Sequence, residues 1–158
     1  MAVLRVLAVL TVSLYLIPGG AHVLEMSNKL ALPLADYMVV QRIYAGWDHT
    51  AYALLAALVL IIVHAVAVWR LPTARWLSLG AFLALIGNLT VFFAYTYPIN
   101  VLTQSWTVAP ENLEMARRQW EYSHAVNAGL VLLALVLIVS AVLASSYASG
   151  MANQTRPR

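Results

Sequence analysis

The sequence predicts an all-α integral membrane protein, a four-helix bundle running up-down-up-down with a short interfacial helix in its first outer loop. Three observations carry that reading. Of 158 residues, 63% are hydrophobic and 9% charged, whereas soluble domains carry roughly one-quarter charged residues. The apolar residues gather into four runs, each long enough at a rise of about 1.5 Å per residue to cross a core ~30 Å thick. Trp47, Trp69, Trp76, Trp106 and Trp120 all fall near the ends of those runs, as an aromatic belt does. The length fits one domain, residues 1–145, followed by a short tail.

The first span covers 3–24, preceded by Arg5 near its start and interrupted late by Pro18-Gly19-Gly20-Ala21. An arginine, an apolar stretch and small residues before His22 also fit the outline of a signal peptide, which would leave His22 as a new amino terminus. The reading adopted here is a retained span. Between Met26 and Trp47 the composition is mixed. Asp36 to Tyr44 is amphipathic, with Tyr37, Val40 and Tyr44 on one side, and predicts a helix lying along the membrane surface. The second span covers 48–69, with Asp48 as its N-cap. Arg70 to Arg75 is a tight link, so the second and third helices form a hairpin. The third span covers 76–95 and is expected to stop before Pro98. Its Gly80, Ala84, Gly87 and Asn88 form a small-residue face suited to close helix contact. A polar loop from Ile99 to Gln119 leads to the fourth span, 120–143. Residues 146–158 are small and polar and read as a mobile tail.

Four spans put both termini on one side. Arg5, Arg70, Arg75, Arg156 and Arg158 flank that side, which has no acid. Lys29, Arg42, Arg117 and Arg118 lie on the other with every Asp and Glu. The arginines of the first side sit near helix ends in short links, where the positive-inside rule counts them. The termini are therefore expected in the cytoplasm, with the chain in a bacterial inner membrane. No basic stripe with interleaved aromatics occurs, so nucleic acid is not an expected partner. The chain has no cysteine, which removes disulfides, thiolate catalysis and sulfur-ligated metals.

Two polar constellations stand at the outer membrane level. One is Arg117, Glu121 and His124, on one helical stripe with Trp120 and Asn127 beside it; the other is His22, Glu25, Asn28 and Lys29. Ionisable groups at such depth are costly and normally face protein or water. His22-x-x-Glu25 and Glu121-x-x-His124 each place imidazole and carboxylate one turn apart, as in bundles that bind metals with Glu-x-x-His pairs. With His49 at the start of the second span, the candidate metal ligands are His22, Glu25, His49, Glu121 and His124, and the donor set suits iron or copper. Gln41, Asn88, Tyr95, Tyr97 and Asn100 are candidates to orient them. The same residues also fit plain pairing, with Arg117 or Arg118 neutralising Glu121 and Glu25 bonded to Lys29. His64 reads as a histidine packed between helices.

No nucleophile elbow, phosphate-binding loop, dinucleotide fingerprint or H-E-x-x-H occurs. His22 to Lys29, Tyr37 to Gln41, Ile43 to Trp47, Pro98-Ile99-Asn100, Trp106, Pro110, and Arg117 to Glu121 with His124 and Asn127 resemble the anthrone-oxygenase-like family of small integral membrane proteins. The similarity covers nearly the whole chain up to Leu143. It implies a four-helix membrane bundle and oxygen-dependent oxidation of aromatic polyketide-type substrates, an activity assigned to only some members, and it implies no agreed cofactor.

The expected function is a membrane oxidoreductase, of oxygenase or quinol/phenol-oxidising type, acting on a small apolar or aromatic ligand. Glu121, His124 and Arg117 are its candidate catalytic residues. A Glu–His pair would act as general base, and Arg117 would stabilise a developing phenolate or enolate. The alternatives are an accessory or ligand-binding subunit that meets a membrane partner or a second copy through the small-residue face, and an isomerase that shuttles protons with Glu and His.

Overall fold

The structure is a computed structural model that describes residues 1–154, with side chains through residue 148. The described chain is all-helical, and four of its helices are long and apolar enough to cross a membrane: Ala2–Ala31, Trp47–Ala67, Pro72–Leu102 and Leu113–Ala148. α1 (Ala2–Ala31) runs unbroken through Pro18. Pro33 then starts α2 (Leu34–Val40), which tightens into a 3₁₀ turn over Gln41–Tyr44. Gly46, at φ +85°, reverses the chain in a conformation that suits glycine, before a second 3₁₀ turn over Trp47–Thr50 leads into α3 (Ala51–Ala67). Pro72 stands in the first turn of α4 (Pro72–Val91), where its missing N–H costs nothing.

Three boundaries differ from the sequence expectation. The third span does not stop before Pro98. A π-helical turn over Phe92–Thr96 precedes α5 (Tyr97–Leu102), and the whole forms one helical stretch. A widened turn shifts the carbonyl bonding past the position where the proline has no N–H to offer, so the helix bends its ladder rather than ending. α6 (Leu113–Gln154) begins two turns earlier than expected and continues beyond Leu143. The stretch 146–154 of the expected tail is therefore helical, and 155–158 lie outside the described residues. At 42 residues α6 is about 63 Å long. Finally, α2 does not simply lie along the surface. Tyr37 and Gln41 are fully buried and turn into the end of the bundle.

The core takes one stripe from each long helix: Ala8 and Val12 of α1, Ala57 and Ile61 of α3, Ala81 and Leu85 of α4, Ala134 and Ile138 of α6. Alternating alanines among larger residues let the helices approach closely. The small-residue face of α4 is part of this packing. A Cβ at Gly80 would lie 3.4 Å from a Leu137 methyl and one at Gly87 3.7 Å from Leu130, and Ala84 and Asn88 are buried. The face expected to receive an outside partner is covered by α6, because the four-helix packing uses the stripe of α4 where backbones can come nearest.

The α1–α6 contact sets the site. A Cβ at Gly19 would stand 3.3 Å from Ala128 Cβ. One turn further along α1, the His22 ring is 4.2 Å from the His124 ring; two turns beyond that, Lys29 Nζ is 3.0 Å from a Glu121 oxygen. Numbers rise on α1 as they fall on α6, so the two helices run antiparallel. That register superimposes the two polar constellations.

Candidate functional site

Lys29, the chain's single lysine, is the centre of the site. Its side chain is 4% exposed, and its ammonium forms an ion pair with Glu121 Oε1 at 3.0 Å and donates to the Tyr44 hydroxyl at 3.0 Å and to His22 Nδ1 at 3.4 Å. Glu25, one turn back on α1, lies 3.8 Å away. The ammonium also lies 4.8 Å and 5.1 Å from the ring centroids of Tyr44 and Trp120, which adds a cation–π attraction. A buried ammonium is tolerated only with such compensation, since moving a charge out of water costs several kcal/mol.

Glu121 is buried on α6, and its Oε1, paired with Lys29, accepts hydrogen bonds from the Tyr37 hydroxyl at 2.9 Å and Gln41 Nε2 at 3.2 Å. Its second oxygen, Oε2, is buried and has no partner among the described residues, and the same is true of Gln41 Oε1. Tyr44 bridges the two acids of the network. It receives a bond from Lys29 and donates to Glu25 Oε2. Burial, with Glu25 beside it, raises the Tyr44 phenol well above its ordinary range; burial and then the Glu121 charge do the same for Tyr37. Both hydroxyls stay neutral and can donate and accept.

The histidines have defined tautomers. Lys29 has only protons to give, so His22 Nδ1 is the acceptor and its Nε2 carries the hydrogen. His124 Nδ1 is 2.9 Å from the Trp120 carbonyl, which only accepts, so Nδ1 carries that hydrogen and Nε2 a lone pair. Aromatic rings enclose the pair: Tyr44, Trp47 and Trp120 lie 4.4 Å, 5.6 Å and 4.9 Å from His22, and Trp120 lies 3.9 Å from His124. Trp120 is fixed by its indole N–H, which donates to Asn100 Oδ1 at 2.8 Å. Trp106 packs against both Trp120 and Tyr37, at 5.4 Å from each. A left-handed turn through Gln104, Ser105 and Trp106, with φ between 47° and 65°, carries it there. Such backbone is strained for side-chain-bearing residues.

The sequence-predicted residues separate into three groups. His22, Glu25, Glu121 and His124 come together, with Lys29 among them. Arg117 is buried beside them, but its guanidinium donates to the Leu32 carbonyl at 2.8 Å and to the Lys29 carbonyl at 3.5 Å and pairs with Glu114. It closes the C-terminal end of α1, whose last carbonyls lack helical partners. His49 stands apart: its side chain is 75% exposed, bonded to the Gly46 carbonyl at 2.7 Å and beside Asp48. The 3₁₀ turn before α3 points it away from the bundle. Asn28 is exposed on the far side of α1, and Tyr95 and Tyr97 are exposed on their helix. Asn88 is buried away from the cluster and accepts from the Tyr15 hydroxyl at 3.0 Å.

Among the described residues, no three His, Asp or Glu side chains converge as one ligand set. The reason is visible in the geometry. An ammonium stands where the cation would, and His22, Glu25 and Glu121 all face it.

Gln41, expected to orient the site, does so, and Lys29 belongs to the His22 constellation as expected; Tyr37 and Tyr44 are the contributors that the sequence places on a surface helix instead. The i+4 spacing pairs Lys29 with Glu25 alone, although Lys29 also shares the His22 stripe at i+7. An open groove of about 630 Å³, lined by Leu34, Glu111, Glu114, Met115, Arg118 and Tyr122, lies beside the site, and none of His22, Glu25, Lys29, Glu121 and His124 lines it. Comparisons of the chain with protein-family models, curated proteins and solved structures give no match.

Proposed function

We propose that the chain is an integral membrane oxidoreductase of oxygenase or phenol-oxidising type. In this reading both termini are cytoplasmic, the bundle runs up-down-up-down, and the Lys29–Glu121 cluster lies in the outer half. Support for insertion comes from the outward faces of all four long helices, which present Leu14, Leu55, Leu83, Ile86, Leu132 and Val136 to the surroundings. The resemblance to the anthrone-oxygenase-like family supplies the substrate class, a small aromatic ketone or phenol with an acidic C–H or O–H.

One observation carries the chemistry: Glu121 has one oxygen held by Lys29, Tyr37 and Gln41 and a second oxygen buried with no partner among the described residues. A carboxylate fixed in this way is positioned as a general base. Glu121 Oε2 takes a proton from the substrate methylene, and the carbanion reacts with dioxygen. The peroxide that forms takes up a proton and loses water. Overall, CH₂ and O₂ become C=O and H₂O. Tyr37 and Gln41 cover the carboxylate, so substrate access in this reading requires the 32–47 segment to lift as a lid.

Oxygen uptake by the purified protein in mild detergent, over a panel of anthrones and hydroquinones, tests this. Wild-type protein is expected to consume oxygen, and Glu121→Gln to lose about 100-fold or more while remaining folded by circular dichroism. No substrate-dependent uptake across the panel would sink the oxygenase reading. Deuterium exchange into substrate without oxygen uptake would replace it with the proton-shuttling isomerase. The accessory-subunit alternative loses its main support, because the α4 face meant for the partner is packed against α6.

A further inference from the structure

Glu121 has no direct route to water: its side chain is 0% exposed. Glu25, on α1, is different, with its side chain 41% exposed. Between them runs an unbroken line of polar contacts: an ion pair between Glu121 Oε1 and Lys29 Nζ at 3.0 Å, then hydrogen bonds from Lys29 to the Tyr44 hydroxyl at 3.0 Å and from Tyr44 to Glu25 Oε2. The last two bonds share one polarity. Lys29 donates to Tyr44, and Tyr44 donates to Glu25. Each donor is thus already aimed outward.

We propose that Lys29, Tyr44 and Glu25 form a proton relay that connects buried Glu121 with the surface. A proton taken up by Glu121 at Oε2 is brought to Lys29 Nζ when the carboxyl group turns to exchange its two oxygens, and it passes to Nζ as Lys29 gives one of its own to the Tyr44 oxygen. Tyr44 releases its hydroxyl proton to Glu25 Oε2, and Glu25 passes a proton to water. At every station one bond to hydrogen breaks and one forms, and no electrons change hands. The net result is one proton moved from Glu121 to solvent and a restored Lys29–Glu121 ion pair. The neutral Tyr44 phenol is what the middle of the chain requires, because a hydroxyl accepts and donates at once. His22 Nδ1, at 3.4 Å from Lys29, is a side branch that leads into the aromatic cluster rather than to the surface. Tyr37 ends on Glu121, and Arg117 and Glu114 pair with one another and with backbone, so neither extends the line.

The relay rests on Glu121 being the proton-accepting group, and its test does not use turnover. Since Lys29 is the single lysine, labelling lysine with ¹⁵N gives one ammonium signal in the full-length protein. Its hydrogen exchange with water reports how protons leave the buried site. Exchange through the relay is expected to slow about tenfold in Tyr44→Phe and in Glu25→Gln, each of which removes one station. Glu25→Gln alters a half-exposed side chain and keeps its shape, so at least one variant retains the fold. If Lys29 instead exchanges by local opening of the bundle, removing its partner leaves the rate unchanged or raises it. Exchange unchanged or faster in either variant overturns the relay, as does a signal broadened beyond detection in all three proteins. A slowed exchange together with no oxygen uptake would keep the relay and discard the oxygenase chemistry.

Discussion

His22 and His64 are both buried, at opposite ends of the bundle, and their surroundings differ in kind. His64 Nδ1 is 2.9 Å from Ser78 Oγ, whose own hydrogen goes to the Ala74 carbonyl at 2.8 Å. The imidazole is therefore the donor, and one neutral bond ties α3 to α4 across their short link. His22 sits where α1, the 41–50 segment and α6 converge, beside an ammonium, two carboxylates and four aromatic rings. A lone neutral histidine needs one partner to be buried at modest cost. Charges need a whole network, and the network must be assembled from several elements at once. The same residue type is a helix-to-helix fastener at one end and part of a reactive cluster at the other.

The sharpest way to break that contrast is to remove one charge of the polar end. Glu121→Gln leaves the Lys29 ammonium buried without its counter-charge and is expected to destabilise the protein by about 3–5 kcal/mol, measured by unfolding in detergent. Adding Lys29→Met should restore part of that loss, since the pair is then replaced by neutral groups. Additive losses in the double variant would mean that the two residues do not form one unit.

A smaller effect is expected from the contact that sets the register. A larger side chain at Gly19 must displace Ala128, whose Cβ and Cα lie 3.3 Å and 3.4 Å from the added Cβ. Gly19→Val is expected to cost about 1–3 kcal/mol by overpacking. It should also separate His22 from His124, which histidine-ring NMR contacts would register as a lost cross-peak. A retained cross-peak would show that the site does not depend on this approach. The smallest effect belongs to the other end. Ser78→Ala strands the His64 donor and is expected to cost about 1–2 kcal/mol, without changing Lys29 ammonium exchange. An altered exchange there would tie the two ends together.

The four apolar helices were legible because length and hydrophobicity are local properties of the chain. So was the pairing of His22 and Glu25 with Glu121 and His124, since helical spacing put each pair on one stripe and the topology put them at one level. The arrangement within the cluster was not legible. Spacing gave His49 the same rank as His22, but the 3₁₀ turn at Trp47–Thr50 rotates it outward. Spacing likewise gave Lys29 to Glu25, its neighbour at i+4, whereas the shorter contact is to Glu121 on another helix.

The sequence by itself determined that this chain forms long apolar helices with its acids confined to one end, because those features follow from composition and period. It also allowed Pro98 to break a helix, and only the π turn across residues 92–96, held by neighbours such as Ser123 bonded to Thr96 at 2.8 Å, decided otherwise. Tertiary structure alone decided that an ammonium sits between the two carboxylates. It also decided that Tyr37, Gln41 and Tyr44 leave the surface to surround it. The physical reason is that a buried charge selects its partners by distance in space. The close approach at Gly19 and Ala128 fixes those distances, and no local pattern in the sequence contains them.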